Sequence, residues 1–428
     1  RRVPVAGRGR PVWEGRRPDA IIPAMVRGDP LKSLLRAGVL AVAALGLAAC
    51  APFASLRHKP PPPPPPLPPP KPEVPLAGAT HDFIVPPEDD VVGLVQVTVA
   101  SKEDTLPDIA RRFNIGYEEI VRANPGVDPW LPGEGRRIHL PTQFVLPDAP
   151  REGVVINVAA MRLFYYPARR KGAPVRVITH PIGIGKVGWA TPEGETKILS
   201  RIKDPVWIPP VSVRKEHAKD GDILPAKVPA GPDNPLGRHM FRLGWPSYLV
   251  HGTNKPYGVG MRSSHGCIRL YPEDIEILYD SVPIGTKLRV VNQPYLLGWK
   301  GGALYVQAYG PMEDDKRDWK HGPKGLRRQG AKSKSPLWSR IRDADAGIDW
   351  DRAYELSQAH TGIPNPVMKA TPVEPAAVLA AAPVVRNALP KGATWDGNED
   401  QYADEATFRE LVSEREPAAS GAKPAAVR

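Results

Sequence analysis

Hydrophobic positions along the chain fall into blocks with different periods. An apolar run from Ala37 to Leu47 follows Arg27, Lys32 and Arg36 and closes with Leu47-Ala48-Ala49-Cys50. At about 11 residues it is too short for a membrane span and fits the core of an export signal. Pro60 to Pro66, Leu67, Pro68 to Pro70, Lys71 and Pro72 then predict near-continuous polyproline II, a semi-rigid spacer of about 40 Å. From Leu94 to Pro141 the pattern predicts a strand (Leu94 to Val99), two helices (Leu106 to Phe113, Tyr117 to Ala123) and a strand at Arg137 to Leu140. Thr105 with Asp108 supplies an N-cap with acidic support, and Ile109, Ala110 and Phe113 keep helical spacing. Between Arg151 and Asn292 the runs Val154 to Val158, Met161 to Tyr166 and Val175 to Thr179 are short, β-branched or aromatic, and punctuated by Gly and Pro, as an all-β domain requires. One helix is expected at Pro272 to Tyr279, with Pro in its first turn and Glu273 and Asp274 near its positive end.

The C-terminal third is less patterned. Leu304 to Tyr309 predicts a strand on the domain's edge, with residues 293–345 otherwise read as a basic linker, and Asp349 to Ala359 predicts a short helix. Ala370 to Arg428, rich in Ala, Pro and charge, is expected to lack fixed structure. The fold class is therefore mainly β. A β-rich domain at 151–292 is preceded by a small βααβ module at 91–142, with a disordered Pro-rich linker at 51–90 and a largely disordered tail within 346–428.

Charge changes the picture once processing is considered. Residues 1–24 lack Met and carry six Arg against Glu14 and Asp19, so they read as an extension from a start site placed too far upstream. Met25 opens the signal, residues 25–50. Without residues 1–49 the formal +12 falls to +6. A basic exported chain suits an anionic wall polymer or lipid surface, and equally suits simple solubility. No nucleic-acid motif is present, and nucleic acid is excluded as a partner.

Of the two cysteines, Cys50 ends the signal, which leaves Cys267 as a single thiol in an oxidising compartment. It lies in Ser263-Ser264-His265-Gly266-Cys267-Ile268-Arg269-Leu270, sixteen residues after His251. A thiol with a reference pKa of about 8.5 needs an imidazole to take its proton. His251 and His265 are the candidates, whereas His217 and His239 look ordinary. His251, His265 and Cys267 could also supply three zinc ligands, but no CxxC or HExxH spacing accompanies them, and no metal or cofactor is expected. A buried structural cysteine is the other bland reading. Gly183-Ile184-Gly185-Lys186-Val187-Gly188 matches a dinucleotide fingerprint, yet Pro192 and Gly194 stand where its helix must begin, so it is rejected.

Three resemblances sharpen this reading. Leu47-Ala48-Ala49-Cys50 resembles a bacterial lipobox, which implies a lipidated Cys50 and an outer-membrane anchor in the periplasm. Asp104-Thr105-Leu106, Ile109-Ala110, Phe113-Asn114-Ile115, Ile120, Asn124-Pro125 and Ile138-His139-Leu140-Pro141 resemble a LysM module, which implies binding of N-acetylglucosamine-containing glycans such as peptidoglycan. Tyr248 to Thr253, Ser264 to Leu270, Pro181 to Gly185 and Thr191 to Gly194 resemble the YkuD-type L,D-transpeptidase signature, and Pro229 to Pro235 with His251 to Asn254 resemble its enterobacterial subgroup.

The resemblance implies Cys267 as nucleophile and His251 as general base, oriented by the Gly252 carbonyl. It implies an oxyanion hole from the N–H groups of His265, Gly266 and Cys267, which a glycine turn favours. Ser264 and Arg269 support the turn, the arginine meeting the substrate's carboxylate. The implied reaction passes through a thioester on tetrapeptide stems. The acceptor is left open between another stem, a lysine of a wall-linked lipoprotein and water. A catalytically silent peptidoglycan-binding lipoprotein is the competing class.

Overall fold

The computed structural model describes residues 81–390 apart from Asp220, together with Ala393 and Trp395. The signal, Cys50, the proline run and the end of the tail lie outside these residues. Among the described residues no helix is long and apolar enough to cross a membrane.

β1 (Asp82–Val85) is ordered by antiparallel pairing with Val175 to Ile178, a correction to the disorder expected throughout 51–90, and with β2 (Val91–Gly93) it leads into the small module. It consists of β3 (Gln96–Val99), α1 (Leu106–Arg112), α2 (Tyr117–Ala123) and β4 (Arg137–Leu140), the expected βααβ order. α1 starts where it does because Thr105 and Asp108 form a reciprocal capping box, Asp108 N–H donating to Thr105 Oγ1 at 3.2 Å and Thr105 N–H to Asp108 Oδ2 at 2.8 Å. Leu106, Ile109, Ile115, Ile120, Ile138 and Leu140 close the core, all fully buried. β5 (Gln143–Val145) then pairs antiparallel with β2.

The large β domain follows as β6 (Gly153–Asn157), β7 (Arg162–Tyr166), β8 (Val175–Pro181), β9 (Ile184–Gly185), β10 (Gly194–Lys203), α3 (Val211–Lys219), β11 (His239–Leu243), β12 (Leu249–His251), β13 (Arg262–Ser264), β14 (Ile268–Arg269), α4 (Pro272–Ser281) and β15 (Lys287–Val291). Nine strands form one sheet in the order β1-β8-β7-β6-β15-β10-β11-β12-β14. All neighbours are antiparallel except β6 with β15 and β12 with β14. β10 spans two partners. Its first half pairs with β15 and its second with β11, across an irregularity between Ile198 and Ser200 that lets the sheet curve around its core. α4 packs on β11 and caps that core with Ile275 and Leu278.

The small module is fused to this domain. Arg162 on β7 is fully buried, and its Nε and Nη2 donate to Glu119 of α2 at 2.8 and 2.9 Å while its guanidinium lies 4.1 Å from the Phe144 ring centroid. Tyr117 and Glu118 N–H groups, at the start of α2, donate to the carbonyls of Val259 and Gly260 at 3.1 and 3.2 Å. Gly260 has φ +86°, and a Cβ there would stand 2.2 Å from Tyr117 N. Only glycine permits that approach.

Beyond the large domain the structure departs from the sequence reading. The expected strand forms, but residues 293–345 are no edge strand and linker. β16 (Tyr295–Lys300), β17 (Ala303–Ala308), α5 (Gly322–Gly330), α6 (Pro336–Asp343), α7 (Trp350–Ser357) and β18 (Asn365–Pro366) build a separate three-stranded sheet with helices. Trp299, Leu304, Trp338, Ile341, Trp350 and Val367 give it a core of its own. α7 is the short helix expected at Asp349 to Ala359, whereas α5 and α6 were not expected, α5 because it buries only Gly322, Pro323 and Gly330 amid basic residues, with the Trp338 ring filling the space beside Gly330. The described part of the expected disordered tail is also ordered. α8 (Pro375–Ala380) is followed by a strap along β3, where Val97 N–H donates to Pro383 O at 3.0 Å and Val385 N–H to Val97 O at 2.7 Å.

Candidate active site

The parallel pairing of β12 with β14 sets His251 opposite Arg269 and Val250 opposite Ile268. Cys267 immediately precedes β14 and so stands level with Leu249, two residues before His251 on the adjacent strand. His251 is buried, and its Nδ1 lies 2.6 Å from the Gly252 carbonyl. That contact requires the proton on Nδ1 and leaves Nε2 as the basic nitrogen. Burial first, then the Arg269 cation, pull the imidazole pKa down to about 3 against the opposing Gly252 hydrogen bond. Burial pushes the Cys267 thiol up, opposed by a backbone hydrogen bond from Leu249 and by Arg269. Its Sγ lies 3.8 Å from the Ser247 carbonyl. Both shifts favour a neutral thiol and a neutral imidazole over a resting ion pair.

The turn before the thiol is held from inside. Ser264 Oγ donates to the Cys267 carbonyl at 2.6 Å and accepts the Gly266 N–H at 3.1 Å. Thr191 Oγ1 donates to the Gly266 carbonyl at 3.0 Å and accepts the Gly185 N–H at 3.2 Å. Gly266 has φ +100°, and a Cβ would stand 2.9 Å from the Tyr248 ring. The Gly266 N–H is therefore committed to Ser264, whereas the N–H groups of His265 and Cys267 donate to no group among the described residues.

His265 faces elsewhere. Its Nε2 meets Glu216 Oε2 at 2.8 Å, Glu216 Oε1 takes Lys186 Nζ at 2.5 Å, and the Trp189 ring stands edge-on at 4.9 Å. Glu216 lies on α3, 49 residues from its partner, and nothing in the spacing pointed to it. Arg269 donates weakly to Ser263 Oγ at 3.4 Å, and its buried Nε has no acceptor. Burial lowers its pKa, and no carboxylate pairs with it among the described residues.

A family model for the L,D-transpeptidase catalytic domain matches residues 151–291, and one for the LysM domain matches residues 99–131. The probable L,D-transpeptidase ErfK/SrfK of Salmonella typhimurium is 36% identical over 289 residues, which are 66% of this chain and 89% of the relative. The chain belongs to the L,D-transpeptidase family. It is also similar to the probable L,D-transpeptidase YcfS of Escherichia coli, 42% identical over 49% of this chain and 66% of that one. YbiS of the same organism, likewise a probable L,D-transpeptidase, is 41% identical over 52% of this chain and 72% of its own. The enzyme is thus an acyltransferase whose transpeptidase domain is the large β domain, with the LysM domain docked against it.

Proposed function

We propose that this L,D-transpeptidase acts on peptidoglycan tetrapeptide stems through a thioester on Cys267. The observation that carries the reading is the neutral, Nδ1-anchored His251 on the strand beside the thiol. Nε2 takes the thiol proton as Sγ attacks the carbonyl of the third stem residue, so no thiolate need accumulate beforehand. The His265 and Cys267 N–H groups supply the oxyanion hole, and Gly266 contributes the backbone shape that aims them rather than its own N–H. Collapse breaks the bond to the terminal D-alanine, which leaves with the proton from the imidazolium. An acceptor amine then attacks the thioester, forms the new amide and returns the thiol. The acceptor is the side-chain amine of another stem or a lysine of a wall-linked lipoprotein. Arg269, charged and without a carboxylate partner, receives a stem carboxylate.

LysM binding to glycan and an envelope location, with lipid on Cys50, belong to the same reading, although Cys50 lies outside the described residues. Intact-mass measurement of acylation by a carbapenem tests the mechanism. Cys267→Ala should abolish the adduct, and His251→Ala should slow it by about two to four orders of magnitude. An adduct retained on Cys267→Ala refutes the nucleophile. Muropeptide mass spectrometry with and without the gene identifies the acceptor.

A further inference from the structure

A cavity of about 550 Å³ opens where the transpeptidase domain meets the C-terminal helices, remote in sequence from both the LysM glycan module and the thiol. Its walls combine the rings of Tyr295, Trp319 and Trp338 with the carboxamides of Asn292 and Gln329, while the Gln293 carboxamide is spent on the Asp148 backbone at 3.0 and 3.1 Å. Flat apolar faces beside amide donors and acceptors suit a ring that is apolar on its C–H face and polar at its rim. A pyranose with an acetamido group has that chemistry. The volume lies within the usual range for small-ligand sites, about 300–1,000 Å³.

The aromatic rings are fixed in advance. Trp319 Nε1 donates to Asp315 Oδ2 at 2.8 Å, and Trp338 Nε1 to Asp148 Oδ2 at 3.1 Å. Asp315 also accepts from Asn292 Nδ2 at 2.9 Å, so one carboxylate orients a platform and a carboxamide together. Asn292 is 96% buried, its exposure being 4%, yet its Oδ1 accepts no hydrogen bond. That oxygen is closed to the cavity, whereas the Gln329 carboxamide in the same wall is exposed and bonds to no described residue, which leaves it for an acetamido group.

The same segment reaches the active-site turn. Asp314 accepts from Arg262 Nη2 at 2.9 and 2.8 Å, and Arg262 opens the strand that leads to Ser264. Arg317 donates to both oxygens of Glu193 at 3.0 and 2.7 Å, two residues from Thr191. We propose that this cavity is a second saccharide subsite, which takes an N-acetylated amino sugar of the strand whose stems are offered to Cys267. The choice of a wall glycan as occupant rests on the function proposed above.

The test labels the full chain with 5-fluorotryptophan and titrates it with a stem-free trimer of β-1,4-linked N-acetylglucosamine, read by fluorine NMR. The resonances of Trp319 and Trp338 should move saturably, separately from that of Trp130 in the LysM domain. Trp319→Ala should raise the half-saturation read at Trp338 by about tenfold, as for removal of one aromatic anchor. Gln329→Ala, exposed on α5, provides a second variant that leaves the core intact and should weaken the same response. Movement confined to Trp130, or an unchanged half-saturation in both variants, overturns the site. An equal response to maltotriose overturns the amino-sugar assignment. Carbapenem acylation of the wild-type chain is read independently, so failure of the thioester mechanism and failure of this subsite are told apart.

Discussion

The transpeptidase domain is flanked on both sides, and the two flanks differ in where their stability resides. The LysM side is held by buried charge and backbone hydrogen bonds: Arg162 on Glu119, Arg111 on Glu273, and α2 against the carbonyls of Val259 and Gly260. The C-terminal side is held together by an apolar core of its own, with Trp299 and Trp338 at its centre, and meets the transpeptidase domain at its surface through Arg262 on Asp314 and Arg317 on Glu193. A polar junction is specific but depends on every partner being present, because a lone buried charge has no water to turn to. An apolar core loses stability in proportion to what is cut away.

The sharpest way to break the contrast is Arg162→Ala, which leaves Glu119 buried with only the Gly116 N–H at 2.7 Å. It should lower the unfolding free energy by about 3–5 kcal/mol in denaturant titrations. Arg162→Met combined with Glu119→Leu should recover most of the loss, and a double variant as unstable as the single would show that charge is not what joins this side. Trp338→Ala on the other flank should cost about 3 kcal/mol with no such rescue by a second substitution.

Acid should separate the flanks further. His81, beside Arg162, is held well below its ordinary value by burial, then by the Arg162 and His180 charges. Its folded pKa is depressed, so below about pH 6.5 the unfolded chain binds a proton that the folded chain refuses. Its contribution is complete above that pH and is lost as the pH falls towards the folded value. The melting temperature should drop between pH 7 and 5, and His81→Gln should flatten part of that drop. A slope unchanged in the variant would place the sensitivity elsewhere. The smallest effect is expected for Lys287→Ala, which breaks an exposed pair with Glu152 at 2.9 Å and should change stability by under about 0.5 kcal/mol.

The two flanks were also unequally legible in the sequence. The LysM core comes from one compact stretch with a capping box and helical spacing, and the turn from Ser264 to Arg269 is consecutive, so both could be read directly. The C-terminal core gathers Trp299, Trp338 and Trp350 from segments dominated by Lys, Arg and Gly, where no window carries a full apolar stripe. Glu216 and Arg162 were missed for another reason: a charged side chain reveals its burial only through a partner, and those partners are 49 and 43 residues away. The Gly266 N–H, expected to face substrate, turned out to be spoken for by Ser264, a detail set by a torsion angle rather than by residue identity.

The close approach of Gly116 to Gly260 has a consequence for inheritance. A module that meets its neighbour backbone to backbone cannot be exchanged like a bead on a string. A LysM copied from elsewhere would bring a side chain to a place with room for a hydrogen, and would leave Arg162 facing whatever the newcomer carried. The boundary drawn between the two families in sequence is therefore no seam in the folded chain, and the pair is expected to have travelled, duplicated and diverged as a single unit.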